Sequence, residues 1–364
     1  MFAIGCVPDV QANDQRLKDA KEYLQSLPKV TSADSLTDKK RYDLVVVVIT
    51  VSRERTLPDE DRHQTYNLGY LTQTVARLLQ ILHARDAVTF PHRKLVVCNV
   101  DPHPQSFAEA LKLSSYVHVV SRYLNSSVEW HHMTKNVFER EKDDYVYCLQ
   151  AASSFLSTYY LVLEDDVLLD ESALETVYFL MRYIDLFSTA DWLFLKLYYP
   201  DKWSGYDRSW KTVVEIYSYS MLGGSLCVIA VLLASKRRKC LPNCQSLPLW
   251  FWFAAGAVFV ALLCVSIGRQ YVESWRQYFI STHQLVVAPG CCTQATLYPA
   301  PVISDLCTHL SRVHSDYDFS VDIAIDGFAY IRGLRRYLVQ PNVAKHIGMI
   351  SNLRRNSKIA EHFL

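Results

Sequence analysis

The sequence predicts an α/β fold with a mainly parallel, Rossmann-like sheet, interrupted by a two-helix transmembrane hairpin. Three observations carry this reading. Two wholly apolar runs, Leu44–Ile49 (LVVVVI) and the YYLVL that begins at Tyr159, have the β-branched and aromatic character of strands buried on both faces. Between the first of these and a third run, Lys94–Val100 (KLVVCNV), residues 65–85 place Leu68, Leu71, Val75, Leu78, Leu79 and Leu82 on one helical stripe. Strand, helix and strand with short links make a βαβ unit with parallel pairing. Further on, Ile216–Ala234 runs for 19 residues and Leu247–Ile267 for 21 without a charge, each long enough to cross a hydrocarbon core of roughly 30 Å. The rival reading, two buried core helices, is disfavoured because helices inside soluble domains rarely lack charges over such a length.

Composition narrows the class. Lys and Arg number 38 against 37 Asp and Glu among 364 residues, a net charge of +1 that implies no bulk attraction to nucleic acid. Half the residues are hydrophobic, high for a purely soluble enzyme and in keeping with the two spans. The chain divides into an N-terminal helical segment (1–40), a first part of the α/β domain (41–212), the hairpin insertion (213–268) and a second part (269–364). The 12-residue link between the spans contains Lys236, Arg237, Arg238 and Lys239. The positive-inside rule makes it cytosolic, which leaves both flanking parts in the lumen.

Taken in order, Asp14–Leu27 reads as a peripheral helix with Leu17, Ala20, Leu24 and Leu27 at helical spacing, and Met1–Arg41 carries no signal-peptide pattern. The first strand runs into Thr50, Val51, Ser52 and Arg53, where a βαβ unit usually meets a nucleotide, so Arg53 is a candidate for a diphosphate. His63, in the same loop, reads as an ordinary polar residue. A more polar region, 104–142, holds a sequon at Asn125 that is used only if that side faces a lumen. Helix Asp143–Thr158, the acidic strand from Tyr159, helix Glu171–Leu186 and strand Trp192–Leu197 follow. Beyond the hairpin come helix Arg269–Tyr278, strand Gln284–Ala288 and helices Ser304–Val313 and Asp322–Tyr337. A Cys98–Cys148 bridge is open to the sequence, and a lumenal location suits disulfides at Cys291, Cys292 and Cys307. Adjacent Cys291 and Cys292 allow either a vicinal ring or two separate thiols.

The chemistry centres on Glu164, Asp165 and Asp166, at the carboxyl end of an apolar strand. Three adjacent acids repel one another, and a fold tolerates them where a divalent cation or a run of N–H donors neutralises the charge. Ligands of open α/β sheets bind at that strand end. The sharp reading is a Mg or Mn site for a phosphorylated ligand; the bland one is a solvated acidic turn capping the next helix. The triplet alone does not choose between them.

Several stretches together resemble one family: EDD after an apolar strand, Thr50–Arg53 after the first strand, PGCCTQATLYP at 289–299, DIAIDGFA at 322–329 and QPNVAKHIGMISNL at 340–353. They look like the post-GPI-attachment N-acetylgalactosamine transferases, Golgi enzymes of the GT-A glycosyltransferase class, similar in C-terminal motifs to the branching N-acetylglucosaminyltransferase IV group. The resemblance covers about residues 41–355 and includes a membrane hairpin that splits the GT-A domain. The family also has an N-terminal membrane anchor, which the short apolar start MFAIGCV does not match. The resemblance implies inverting transfer of GalNAc from UDP-GalNAc to the first mannose of the GPI glycan on GPI-anchored proteins. The implied setting is the Golgi membrane, multi-pass, with the catalytic domain lumenal and no nucleic-acid partner. It further implies Mn2+ held by Glu164, Asp165 and Asp166, with His346 as a further metal or phosphate contact. Asp166 is first choice for direct ligation, Asp165 for a ligand or ribose contact, and Glu164 for orienting its neighbours. Thr50, Val51, Ser52, Arg53, Asp165, Thr293 and Gln294 would bind the donor. Inversion requires a base for the acceptor hydroxyl. Asp322, with Asp326 second, is the candidate, although helix N-capping explains Asp322 equally well. Two other classes remain: a metal-dependent phosphohydrolase, and a non-catalytic membrane-bound protein that binds glycans or nucleotide sugars.

Overall fold

The computed structural model describes residues 6–29, 41–52, 68–84, 89–124, 136–187, 191–200, 206, 210–237, 247–269, 271–272 and 283–348. Arg53, His63, Asn125 and most of the expected 269–278 helix lie outside the described residues. The chain forms two compact units, one from Met1–Tyr199 with His283–His362 and one from Pro200–Thr282.

In the first unit, helix α1 (Cys6–Ser26) precedes strand β1 (Tyr42–Thr50), whose residues Leu44 to Val48 are fully buried. Helix α2 (Tyr70–His83) carries the chain over to β2 (Arg93–Asn99), which pairs with β1 in parallel, as the βαβ pattern requires. After α3 (Ala108–Leu113), strand β3 (His118–Ser121) pairs in parallel with β2, inside the region expected to be merely polar. Helix α4 (Val137–Ser153) starts six residues before its expected position because Asn136 caps it, its side chain accepting from the Glu139 N–H at 2.8 Å. It delivers β4 (Ser157–Glu164), parallel to β1 on the side away from β2. The strand order therefore reverses between β1 and β4, the topological switch point of the sheet.

A short strand β5 (Val167–Leu169) and helix α5 (Ala173–Phe187) lead to β6 (Trp192–Lys196). The chain then enters the second unit, where α6 (Trp210–Arg237) and α7 (Leu249–Ile267) lie side by side. A Cβ placed on Gly256 would fall 2.6 Å from the Cys227 Cβ and 2.9 Å from the Gly223 carbonyl oxygen, so only glycine lets the backbones come this near. Thr212–Ser235 and Leu249–Ile267 are candidate membrane spans, and only 6% of either window is buried. That exposure removes the rival reading of two soluble core helices.

The first unit resumes with β7 (Gln284–Val287), β8 (Ala295–Pro299), α8 (Ala300–Arg312), α9 (Val321–Arg332), β9 (Arg335–Gln340) and β10 (Ala344–His346). The eight-stranded sheet has the order β3-β2-β1-β4-β8-β6-β9-β7, with β8 antiparallel between β4 and β6. One face packs against α1, α2 and α5 through residues such as Leu24, Leu78 and Met181, the other against α4, α8 and α9 through Leu149, Leu306 and Phe328. The chain leaves the sheet after Lys196 and rejoins it at Gln284, which pairs with Gln340. Both points lie at the edge where β1 and β4 end.

Two expectations need correction, and one stretch holds a strand where the sequence reading assigned no element. The helix expected over Asp322–Tyr337 stops at Arg332, because Gly333 adopts the left-handed conformation (φ 64) at the C-cap, and Tyr337 belongs to β9. The PGCCTQATLYP stretch holds a sheet strand, β8. Cys307 makes no disulfide; it is buried under the sheet, and desolvation pushes its thiol up to about 11. The Cys98–Cys148 bridge does form, joining β2 to α4, and Cys291 is bonded to Cys292.

Candidate active site

The acidic strand end sits at the switch point. Glu164 is still tied to the neighbouring chain, its N–H donating to the Gln294 carbonyl at 2.9 Å, while Asp165 and Asp166 form the turn into β5. The strand ends at Glu164 and the backbone turns through Asp165 and Asp166, so the three carboxylates part company. Glu164 Oε1 accepts from the Thr293 hydroxyl at 3.1 Å. Asp165 Oδ2 accepts from the Thr50 hydroxyl at 2.7 Å, bridging the ends of β4 and β1. The Thr74 hydroxyl donates to the Asp165 carbonyl at 2.7 Å and fixes the turn from α2. Asp166 points to a third place, with Oδ2 3.2 Å from His346 Nε2. Asp165 and Asp166 are 4% and 3% exposed, which rules out the solvated acidic turn.

His346 reaches this point through a two-stranded antiparallel ribbon in which β10 pairs with β5, His346 opposite Val167. The Ile347 N–H donates to the Asp166 carbonyl at 2.8 Å, and the Tyr198 ring stacks on the imidazole at 6.0 Å. A Cβ on Gly348 would lie 2.9 Å from His346 Nε2 and closer still to Asp166 Oδ2. Glycine there leaves the space beside the pair clear.

The other wall is the turn 289–294. Lys196, buried at the end of β6, donates through Nζ to the carbonyls of Pro289 (3.1 Å) and Cys291. Burial lowers this ammonium to about 8, against the pull of Asp322. Cys292 has φ 74, and its N–H donates to Asp322 Oδ2 at 2.9 Å; Asp322 Oδ1 accepts from the Ser320 hydroxyl and the Ile323 N–H. Ser320, not Asp322, is the N-cap residue of α9. One turn on, Asp326 is paired with Arg336 and lies against Gly290.

Sequence reasoning passed over Glu141, which α4 brings within electrostatic reach of Glu164 and Asp322. Burial first, and then the charges of Glu164, Asp322 and Asp144, push its carboxyl up to about 8. Among the described residues it makes no hydrogen bond or ion pair. In the run EREKDDY every position but the last is charged, so no pattern distinguishes Glu141; only the packing of α4 against α9 does.

The fold thus gathers Thr50, Glu164, Asp165, Asp166, Thr293, Gln294 and His346 at one edge, with Val51 and Ser52 continuing β1 there. The Ser52 N–H donates to Asp101 Oδ2 at 2.9 Å. The three acids and the histidine expected to share a metal do not converge: among the described residues no group of three or more His, Cys, Asp or Glu is arranged to hold one ion. Asp166 and His346 stand together. A carboxylate oxygen and an imidazole nitrogen suit Mn2+, and a site with few protein donors is completed by substrate phosphate oxygens and water. The residues present fit such an ion.

A mainly parallel, Rossmann-like sheet with a buried acidic turn at its switch point defines the class, an α/β domain with a ligand edge at its strand ends. The family model described as GPI-N-acetylgalactosamine transferase PGAP4 matches residues 44–345, and the chain belongs to that family. The matched stretch opens in β1, ends in β10 and includes the hairpin. Among solved structures, the chain is similar to CMP-2-keto-3-deoxy-manno-octonic acid synthetase complexed with CTP (9% identity, TM-score 0.32, covering 83% of this chain and 92% of that one). It is also similar to the mannosyltransferase PcManGT from Pyrobaculum calidifontis in complex with GDP-Man and Mn2+ (12% identity, TM-score 0.25, 54% and 46%). Likenesses this distant carry no weight for individual residues.

Proposed function

We propose that this protein is a Golgi membrane enzyme that moves GalNAc from UDP-GalNAc to the first mannose of a GPI glycan, with inversion to a β linkage. The carrying observation is the buried Asp166–His346 pair beside Gly348 at the switch point, in a chain of the GPI GalNAc transferase family. Asp166 and His346 would hold Mn2+, which when bound supplies positive charge for the diphosphate that departs. Asp165 holds Thr50 and so keeps the ends of β1 and β4 at a fixed spacing for the donor, with Val51 and Ser52 continuing β1 at that edge. Glu164 holds Thr293, and Thr293 and Gln294 line the sugar side of the cleft. The acceptor hydroxyl gives up its proton to the carboxylate wall of which Asp322 and Asp326 are part.

The route of the chain supports a membrane-held acceptor. A GPI glycan is anchored in the lumenal leaflet by its own lipid, and the catalytic unit is tethered to its spans from the edge that bears the acids. Such tethering raises the effective concentration of one for the other. The test is a donor panel: full-length protein in lipid micelles with Mn2+, a GPI acceptor and several nucleotide sugars. UDP release and sugar transfer should occur with UDP-GalNAc and stop in Asp166→Asn. Nucleotide-sugar binding without turnover on any acceptor would replace the enzyme by a binding protein.

A further inference from the structure

The helices that cover the sheet do not all present the same kind of outer surface. On α1 the outward positions include Lys18, Lys21 and Glu22, and on α8 they include Ser304, Thr308 and Arg312, as expected of faces that meet water. Helix α5 departs from this. Its inward stripe, Leu174, Val177, Met181 and Ile184, is buried, while Phe179, Tyr183, Leu186 and Phe187 point outward, each between 56% and 71% exposed. Steps of four, seven and eight residues from Phe179 put these side chains on one face. There the Tyr183 and Phe187 rings meet at 4.8 Å, with Arg182 exposed beside them. A contiguous aromatic and aliphatic patch on the outside of a helix marks an interaction surface.

We infer that this face of α5 rests on the lumenal surface of a lipid bilayer, with its rings at headgroup level and Arg182 against lipid phosphates. The inference rests on the membrane reading above. Chain connectivity names the occupant. Strand β6 is the next element after α5, and from Tyr199, just beyond that strand, 13 residues lead to the first candidate span at Thr212. That length of chain reaches at most about 45 Å, so the unit stays in the neighbourhood of the bilayer. A second copy of the chain fits the patch poorly, because a stable dimer engages about 20–30 residues a side. This stripe is a single helix face, flanked by Glu175 and Asp185. A surface that is already tethered needs no such area, since the spans keep lipid at high effective concentration. Phe, Tyr and Leu beside an arginine are residues that settle at the boundary of headgroups and acyl chains.

The direction of α5 gives the contact a consequence for the site. The helix starts at the ligand edge, where the Ala173 N–H donates to the Asp170 carbonyl just after β5, and runs to the opposite edge, where β6 begins. Resting on α5 turns that side of the sheet toward the membrane, with one helix diameter, about 10–12 Å, between strands and lipid. The acidic edge then opens sideways, at constant height over the leaflet that holds the acceptor.

The test uses full-length protein in phosphatidylcholine nanodiscs carrying Tyr183→p-benzoylphenylalanine, with Thr308→p-benzoylphenylalanine on the opposite face as control. Irradiation should leave a covalent lipid adduct on the α5 peptide and none on the α8 peptide. A dimer band or a cross-link within the chain in place of the lipid adduct overturns the inference, and so do equal adducts at both positions. A second arm combines Phe179→Ser, Tyr183→Ser and Leu186→Ser, which alter exposed side chains only and should leave Tm unchanged. Transfer to GPI in vesicles should fall about 10-fold while transfer to a soluble mannoside stays within twofold of wild type. Equal loss with both acceptors, or vesicle transfer within twofold of wild type, overturns the inference. Protein that alkaline carbonate washes from vesicles removes the spans and this contact with them. The lipid adduct needs no turnover, so a wild-type protein that forms it and transfers nothing supports the contact and sinks the transferase reading alone.

Discussion

Asp165 and Asp166 are neighbours in sequence with opposite assignments, and each can be tested singly. Thr50→Val removes the hydroxyl that donates to the 4%-exposed Asp165 carboxylate, and losing such a bond in a buried place costs about 1–3 kcal/mol. Thermal unfolding should show a lowered Tm, largely restored in Thr50→Ser. At Asp166 the expected effect is on turnover. Gly348→Ala inserts a methyl group against Asp166 and His346, and transfer should drop about 10- to 100-fold, with the Mn2+ requirement shifted to higher concentration. A titration of activity against Mn2+ checks this; unchanged half-saturation would mean that the pair does not hold the ion. The triplet's place at the end of a buried strand was legible in the sequence. Its division of labour was not, because the direction of each side chain depends on where β4 ends and on Thr50, Thr293 and His346, which lie 115 to 180 residues away in the chain.

At the scale of elements, the long apolar runs that became β1, β2 and β4 announced themselves, since strands covered on both faces need apolar residues at every position. The short strands β5, β8 and β10 did not. Val167–Leu169 and Ala344–His346 have three residues each, too few for a period, and their pairing is supplied by each other. The Cys98–Cys148 bridge joins β2 to α4 across a separation of 50 residues. Loop-closure entropy for that separation corresponds to about 4 kcal/mol, so the double variant Cys98→Ala, Cys148→Ala should unfold at markedly lower denaturant concentration. Cys307 offers the converse check. Buried, with its thiol pushed up to about 11, it should resist alkylation at pH 7.5 in the folded protein and react after unfolding. Rapid labelling of Cys307 in the native state would show that α8 does not stay packed on the sheet.

For the molecule as a whole, the hairpin and the catalytic unit are separable in principle, because the chain leaves the sheet after Lys196 and rejoins it at Gln284, on the same edge. Replacing Thr212–Ile267 with a soluble linker should leave UDP-GalNAc-dependent transfer to a soluble mannoside within a few-fold of wild type, while transfer to GPI in vesicles is abolished. Undiminished transfer to vesicle-borne GPI would remove the tether from the mechanism. Apolar runs, charge-free spans and an acidic triplet are local properties of the chain, and they were enough to specify a mainly parallel sheet, two helices long and apolar enough to cross a membrane, and an acidic end to a buried strand. Which acid faces the histidine, which carboxylates are already occupied by N–H groups, and that Glu141 comes within electrostatic reach of them from another helix depend on contacts between residues far apart in the chain. No local pattern encodes such contacts, because a side chain's partners are set by the packing of whole elements.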